Sequence, residues 1–420
     1  MSPRLPVIGG RGRSRGHWTA LDLGSAVVRA LVVKREEDRA VVLGVGRSES
    51  DVPLPPGGAV PQLAEVVAAC DRAVEAAEDM AQVVPTRAVI GLAGSQVRGF
   101  TTTVGRVRRR PEDRVSAREL DDQVEGVQHR ALAEARAAFA EESGAAPQQV
   151  RLVHSAITQL RIDEAQVRDP LRYQGERLEV TVFNTFALAG QLAAVERIAE
   201  ELDLELASTV AEPYAVARAA TTTDSLERGA VFIDVGAATT QVALVRGGLL
   251  EATRVFGLGG RAFTRKLAAD LGLTPPAAEL LKQRHSQGDL VGEERTRVHS
   301  CCAETAEVLA QGVALTLHDL AQGRTLPDAV RLCGGGARVP EVAEQLTILR
   351  WTDYLPFLQA PSFTVLQPGE LAGVRDTTGM LDSCADIAAM GLAYHAVVQD
   401  EPEGDLLAGV LRRVQAAIGT

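Results

Sequence analysis

An apolar strand that ends in Asp-x-Gly, turns through small residues and returns as a β-branched strand occurs twice in this 420-residue chain. The first copy reads Trp18-Thr-Ala-Leu-Asp22-Leu-Gly24-Ser25 and runs into the strand-like segments Val27 to Val33 and Ala40 to Val45. The second reads Ala230-Val-Phe-Ile-Asp234-Val-Gly236-Ala-Ala-Thr239-Thr240, followed by Gln241 to Val245 and Leu249 to Phe256. A hairpin duplicated about 210 residues apart predicts two similar halves that face each other.

Helical periodicity fills the intervals. Leu63, Val66, Val67, Cys70, Val74 and Ala77 form one apolar stripe over Leu63 to Met80. Further helices are expected over Glu119 to Glu142, Leu188 to Leu202, Ala262 to Leu271, Arg295 to Leu320 and Ser383 to Val398. Between Pro85 and about Val180 the pattern changes to strand, strand, helix, strand, strand, which marks a candidate inserted subdomain. The Arg-rich stretch Arg106 to Arg114 contains Glu112 and Asp113 and reads as a solvated hairpin.

Asp-x-Gly at a strand end sets a carboxylate beside backbone N–H groups that only a residue without Cβ lets a guest approach closely. Such a turn suits nucleotide phosphates, with the carboxylate reaching Mg²⁺ through water. A third Gly-rich turn, Cys333-Gly334-Gly335-Gly336-Ala337, follows a strand and precedes an expected helix. Adjacent glycines raise the entropic cost of ordering the chain, and they mark places where another group comes very near.

The order of motifs resembles the actin, heat-shock-chaperone and sugar-kinase ATPase superfamily. It runs Asp22-Leu-Gly24, Glu212-Pro213-Tyr214-Ala215, Asp234-Val-Gly236-x-x-Thr239-Thr240, Gly259-Gly260, Glu279-Leu-Leu-Lys282 and Gly334-Gly335-Gly336. Within it the chain is most similar to the FtsA family of bacterial actin-like cell-division proteins. The resemblance rests on Asp169-Pro170 through Leu178-Glu-Val180, on Ala278-Glu279-Leu-Leu-Lys282, on Ala388-Ala-Met-Gly391-Leu-Ala393, and on the position of the insertion. It implies an α/β fold of two ribonuclease-H-like actin-type halves around a nucleotide cleft, with a small α+β inserted subdomain. The expected division is an Arg-rich arm over 1–16, a first half over 17–84 with 186–210 and 383–398, an insert over 85–185, and a second half over 211–382.

The same resemblance assigns roles. Asp22 and Asp234 would hold Mg²⁺ through water, and Gly24, Ser25, Gly236, Thr239 and Thr240 would wrap the phosphates of ATP, with Gly259 and Gly260 beside them. Glu279 and Lys282 would meet ribose and adenine, Gly334, Gly335 and Gly336 would pass under the adenosine, and Glu212 would orient the attacking water. Ala237, Ala238 and Gln241 stand where FtsA-like loops carry two glycines and an acid, so ATP binding is expected more securely than hydrolysis.

After an acidic linker, 399–405, Leu406, Leu407, Val410, Leu411, Val414 and Ile418 fall on one face of an amphipathic C-terminal helix, 406–420. The resemblance implies that this helix lies on the cytoplasmic face of the cell membrane, that the protein forms filaments, and that it binds the C-terminal tail of FtsZ, while the same apolar face also suits docking on the protein's own surface or on a partner. The alternative is a scaffold like PilM of type IV pili, which binds a peptide of an inner-membrane protein. A formal net charge of −11 argues against a nucleic-acid partner. Five cysteines without a CxxC pair support neither a disulfide framework nor a cysteine zinc site, and fit reduced thiols inside the cell.

Overall fold

The computed structural model describes residues 13–50, 60–94, 96–220 and 228–398. Its first sheet opens with the expected hairpin. β1 (Arg13–Asp22), β2 (Val27–Glu36) and β3 (Arg39–Glu49) form an antiparallel meander whose central residues, among them Ala20, Leu21, Ala30 to Val33 and Ala40 to Val42, are buried in unbroken runs, as in a sheet covered on both faces. Helix α1 (Val60–Ala81) lies on β3 and supplies Val66, Cys70, Val74 and Ala77 to the core. β4 (Val84–Leu92) and β9 (Glu205–Ala211) then add in parallel, and β15 (Val374–Asp376) closes the far edge. The order is β15-β3-β2-β1-β4-β9.

The second sheet repeats the arrangement. β10 (Ala230–Val235), β11 (Thr240–Arg246) and β12 (Leu249–Phe256) form the meander, and β13 (Ala329–Cys333) and β14 (Ser362–Val365) pair in parallel beyond β10. β10 and β11 are buried nearly end to end, as expected of central strands covered on both faces. The covering helices are α5 (Gly260–Leu271), α6 (Pro275–Gln287), α7 (Gly292–Ala321) and α8 (Pro340–Ile348). Their core is separate from the first, with Ile233, Leu244, Phe263, Leu309, Leu332 and Leu346 at its centre.

Between the halves run β5 (Val97–Val107), α2 (Ala117–Ser143), β6 (Val150–Ile162), β7 (Ala165–Gln166), β8 (Arg177–Leu188) and α3 (Ala189–Glu201). Ser116 and Glu119 cap α2 reciprocally, and Gly144 ends it in the left-handed conformation. α2 packs Leu120, Val124 and Val127 against Leu160 and Val180 of the inserted strands. These strands are not a free-standing packet: β5 pairs with β12, so β5, β8, β6 and β7 extend the second sheet to nine strands. α4 (Glu212–Ala220) and α9 (Ile387–Val398) cross closely between the halves, with Gly391 against the backbone of Ala215 and Val216.

Several boundaries shift. Val84–Leu92, expected at the head of the insert, is an inner strand of the first sheet, because its Ala88 to Leu92 run is sealed on both faces. Val374–Asp376, expected in the second half, pairs with β3 of the first. Strand β1 starts at Arg13, inside the expected arm. β8 continues past Phe183 through Asn184 and Thr185, polar residues that read as a strand end but lie fully buried, with Asn184 accepting from Ser155 Oγ at 2.8 Å. The amphipathic segment 406–420, with Leu406, Leu407, Val410, Leu411, Val414 and Ile418, lies outside the described residues.

Candidate functional site

Both meanders deliver an aspartate to the same place. Asp22 is the last residue of β1 and stands opposite Arg29 on β2. Asp234 is the penultimate residue of β10, opposite Gln241 on β11 and Cys333 on β13. Glu212 is the first residue of α4, directly after β9. All three carboxylates are buried, with 4%, 8% and 4% of their surface exposed.

Their electrostatics follow from that enclosure. Burial, with the Asp22 carboxylate beside it, raises Glu212 well above the ordinary carboxylate range. Burial and then Asp22 push Asp234 up to about 7. Asp22 is raised by burial too, although Arg29, 3.5 Å away through Nη1, pulls against the shift. Gln241 Nε2 donates to Glu212 Oε2 at 2.9 Å, while Glu212 Oε1 and Gln241 Oε1 are sealed from solvent with no partner among the described residues. Behind Arg29 sits Asp386, which also accepts from Arg47 at 3.0 Å and is 2% exposed. The sequence reading missed this bracket. Its signal was Arg29 at the mirrored register position of Asp22 on the hairpin.

The glycine turns are packed too closely against the protein itself to admit a side chain. A Cβ at Gly24 would stand 2.3 Å from the carbonyl oxygen of Val27. Gly334 adopts φ +87°, and a Cβ there would lie 2.1 Å from Asp234 Oδ1. Gly336 is packed against Val235 and Gly236, whereas Gly335 is exposed. The Gly236 N–H donates to the Thr239 carbonyl at 2.9 Å, closing a partly exposed loop, as is the turn of Gly24 and Ser25.

Three expected ligand residues face elsewhere. Thr240 is fully buried and its hydroxyl donates to the Leu258 carbonyl at 2.7 Å, so it braces the loop from behind. The N–H groups of Gly260 and Arg261, at the start of α5, donate to the carbonyls of Gly236 and Ala237, both at 2.8 Å. Gly259 packs under the same two residues. The helix start therefore anchors the Gly236–Thr239 loop, with its first donors spent on protein.

Glu279 and Lys282 share one face of α6, as their spacing requires. Lys282 Nζ donates to Glu279 Oε2 at 2.7 Å, to Thr264 Oγ1 at 2.9 Å and to the Gly260 carbonyl at 3.0 Å. Partial burial opposes ionisation of Glu279, but the Lys282 and Thr264 hydrogen bonds outweigh it and hold its carboxyl below the ordinary range. Arg261 Nη2 donates to the Ser25 carbonyl at 2.6 Å, a direct link between the two turns that motif reading missed.

No family model matches the chain. It is 26% identical to the cell division protein FtsA of Bacillus subtilis over 66% of this chain and 60% of that one. FtsA of Pseudomonas aeruginosa matches at 25% over 94% of this chain and 96% of its own length. FtsA of Escherichia coli matches at 28% over 66% of this chain and 62% of its own. The chain is thus similar to FtsA proteins at 25–28% identity. Among solved structures, the PilM–PilN type IV pilus biogenesis complex is similar with TM-score 0.64 and 20% identity, over 91% of this chain and 99% of that one. The ethanolamine utilization protein EutJ from Carboxydothermus hydrogenoformans follows at TM-score 0.50, covering 90% and 89%. Both share the two-lobed actin-type fold. Against the Bacillus and Escherichia relatives this chain spans about three fifths of their length.

Proposed function

We propose that this chain is a nucleotide-binding, actin-type cell-division protein that polymerises and tethers the FtsZ ring to the cytoplasmic face of the cell membrane. The observation that carries the nucleotide reading is the convergence of the buried carboxylates of Asp22, Asp234 and Glu212 beside two glycine-containing turns, with Glu212 set against Asp22. Buried carboxylates held above their ordinary pKa by one another are an arrangement that a bound cation relieves. Hydrated Mg²⁺ fits that donor set, since hard oxygen ligands are what it prefers. Asp22 and Asp234 would hold it through water. When bound, it would neutralise the phosphate charge of ATP.

The turns at Gly24–Ser25 and Gly236–Thr239 would receive the phosphates, while Gly335, Glu279 and Lys282 would border the nucleoside. Slow turnover is consistent with Gln241, which holds Glu212 by a hydrogen bond in place of the acid expected there. The cell-division part rests on the FtsA relatives, and the membrane part on Leu406 to Ile418. No helix of the described residues is long and apolar enough to cross a membrane.

Fluorescence anisotropy with a labelled FtsZ C-terminal tail peptide, in ATP and Mg²⁺, tests the tethering. Saturable binding in the micromolar range, about −8 kcal/mol, is expected. Failure up to about a millimolar, roughly −4 kcal/mol, would remove that reading. It would favour the second reading, a PilM-like scaffold, to which the structural likeness to the PilM–PilN complex points.

A further inference from the structure

Away from the cleft, three helices of the second half bring two imidazoles onto one carboxylate. His285 lies in the last turn of α6, His299 in α7 and Glu341 in the first turn of α8. His285 Nε2 and His299 Nδ1 each stand 2.7 Å from the same oxygen, Glu341 Oε1. One ligand-capable atom from each residue falls within 4.8 Å of the other two. His285 is 6% exposed at its side chain, Glu341 0% and His299 50%.

Glu341 is poorly served by the protein alone. No lysine or arginine pairs with it among the described residues, and its Oε2 is sealed from solvent without a hydrogen-bond partner. A buried carboxylate of this kind is costly unless a cation or donors compensate it. Two neutral histidines can satisfy Oε1 through their N–H groups, but they leave Oε2 unmet. A cavity of about 280 Å³ opens beside the cluster, lined by Gln287, Leu290, Arg295 and Glu344 together with the three residues.

We propose that His285, His299 and Glu341 form a divalent transition-metal site, with zinc the best-matched ion. Two imidazoles and one carboxylate are a donor set that zinc accepts, with a fourth, open position for water. The cavity provides that position and a path of entry. Imidazole nitrogen favours zinc, nickel or cobalt over magnesium or calcium, which prefer oxygen. Ligand atoms around a tetrahedral ion with bonds of about 2.0–2.1 Å sit about 3.3 Å apart, so the 2.7 Å contacts would open by a fraction of an ångström while the ligand atoms, now within 4.8 Å of one another, draw to that common spacing. The ion would take the place of the donors on Oε1, each imidazole keeping its proton on the ring nitrogen turned away from the ion, and a chelating carboxylate would bring Oε2 to the ion as well. It also ties the C-terminal end of α6 to α7 and α8.

The test titrates metal-stripped full-length protein with Zn²⁺ alone, reading stoichiometry by competition with a chromophoric chelator and stability by melting temperature. His299 is half exposed, so H299A and the polar H299Q should fold as the parent does. One Zn²⁺ per chain and a raised melting temperature are expected for the parent and for D234N. H299A and H299Q should lose affinity by about tenfold or more, along with the stabilisation. Absence of Zn²⁺ binding by the parent, or equal binding by H299A, would overturn the proposal. Loss of binding in D234N with retention in H299A would also overturn it, since the ion would then sit on the cleft carboxylates.

Discussion

Asp22, Glu212 and Asp234 crowd negative charge into a space from which water is largely excluded, and the cost falls on the nucleotide-free protein. Asp234 illustrates the sign. Its carboxyl is raised from an ordinary value of about 4 to about 7, so the folded state holds a proton that the unfolded chain releases. Stability is therefore lost as pH rises from about 4 to about 7, and the full cost is present above that. Asp234→Asn should stabilise the nucleotide-free protein at pH 8 by an amount on the order of 2–4 kcal/mol, and the gain should shrink toward pH 4. Denaturant melts at the two pH values check this; equal stability of variant and parent at pH 8 would contradict it. Gly334→Ala should act in the opposite direction. It sets a Cβ 2.1 Å from Asp234 Oδ1 at a backbone of φ +87°, and should destabilise by about 2 kcal/mol or more, read as a lower melting temperature.

At the scale of elements, the inserted strands meet the first half through an aromatic cluster. His154 on β6 lies 4.6 Å from the Tyr214 ring of α4 and 5.2 Å from the His395 ring of α9, while Phe183 of β8 stacks on Tyr214 at 5.2 Å. The Nδ1 of His154 is sealed without a partner, and burial, with Arg218 adding to it, lowers the imidazole to about 4. Its depressed value means that the unfolded chain binds the proton first. Stability should fall as pH drops from about 6.5 toward 4, by up to about 1.4 kcal/mol per pH unit. His154→Phe should flatten that limb of the stability profile, and an unchanged slope would contradict the account.

The elements themselves were largely legible. Apolar strands that stop at Asp-x-Gly and return as β-branched strands identified both meanders, and the stripe from Leu63 to Ala77 identified α1. What stayed hidden was tertiary. Thr240 and the N–H groups of Gly260 and Arg261 look free in the sequence. Only the approach of Leu258 and of Gly236–Ala237 shows their donors spent. The same holds for Val84–Leu92, whose sheet partners β1 and β9 lie on either side of it in space but far apart along the chain.

At the scale of the whole molecule, Arg261 at the start of α5 reaches across to the Ser25 carbonyl of the first half, at 2.6 Å. Charged hydrogen bonds of this kind contribute about 1.5–3 kcal/mol, so Arg261→Ala should weaken nucleotide binding several-fold while leaving each half folded. Equilibrium titration against circular dichroism separates the two effects. Removal of 406–420 should abolish pelleting with anionic liposomes and leave nucleotide affinity unchanged. If the truncated chain still pelleted, the tail would not be the membrane anchor.

The most direct test of the central claim is the equilibrium affinity of a fluorescent ATP analogue, with and without Mg²⁺, for the parent chain and for Asp22→Asn. Saturable, Mg²⁺-dependent binding of one nucleotide per chain is predicted, weakened at least about tenfold, or 1.4 kcal/mol, by the substitution. Identical affinities for parent and variant, or no saturation up to about a millimolar, would contradict a nucleotide site built on the paired Asp-x-Gly turns.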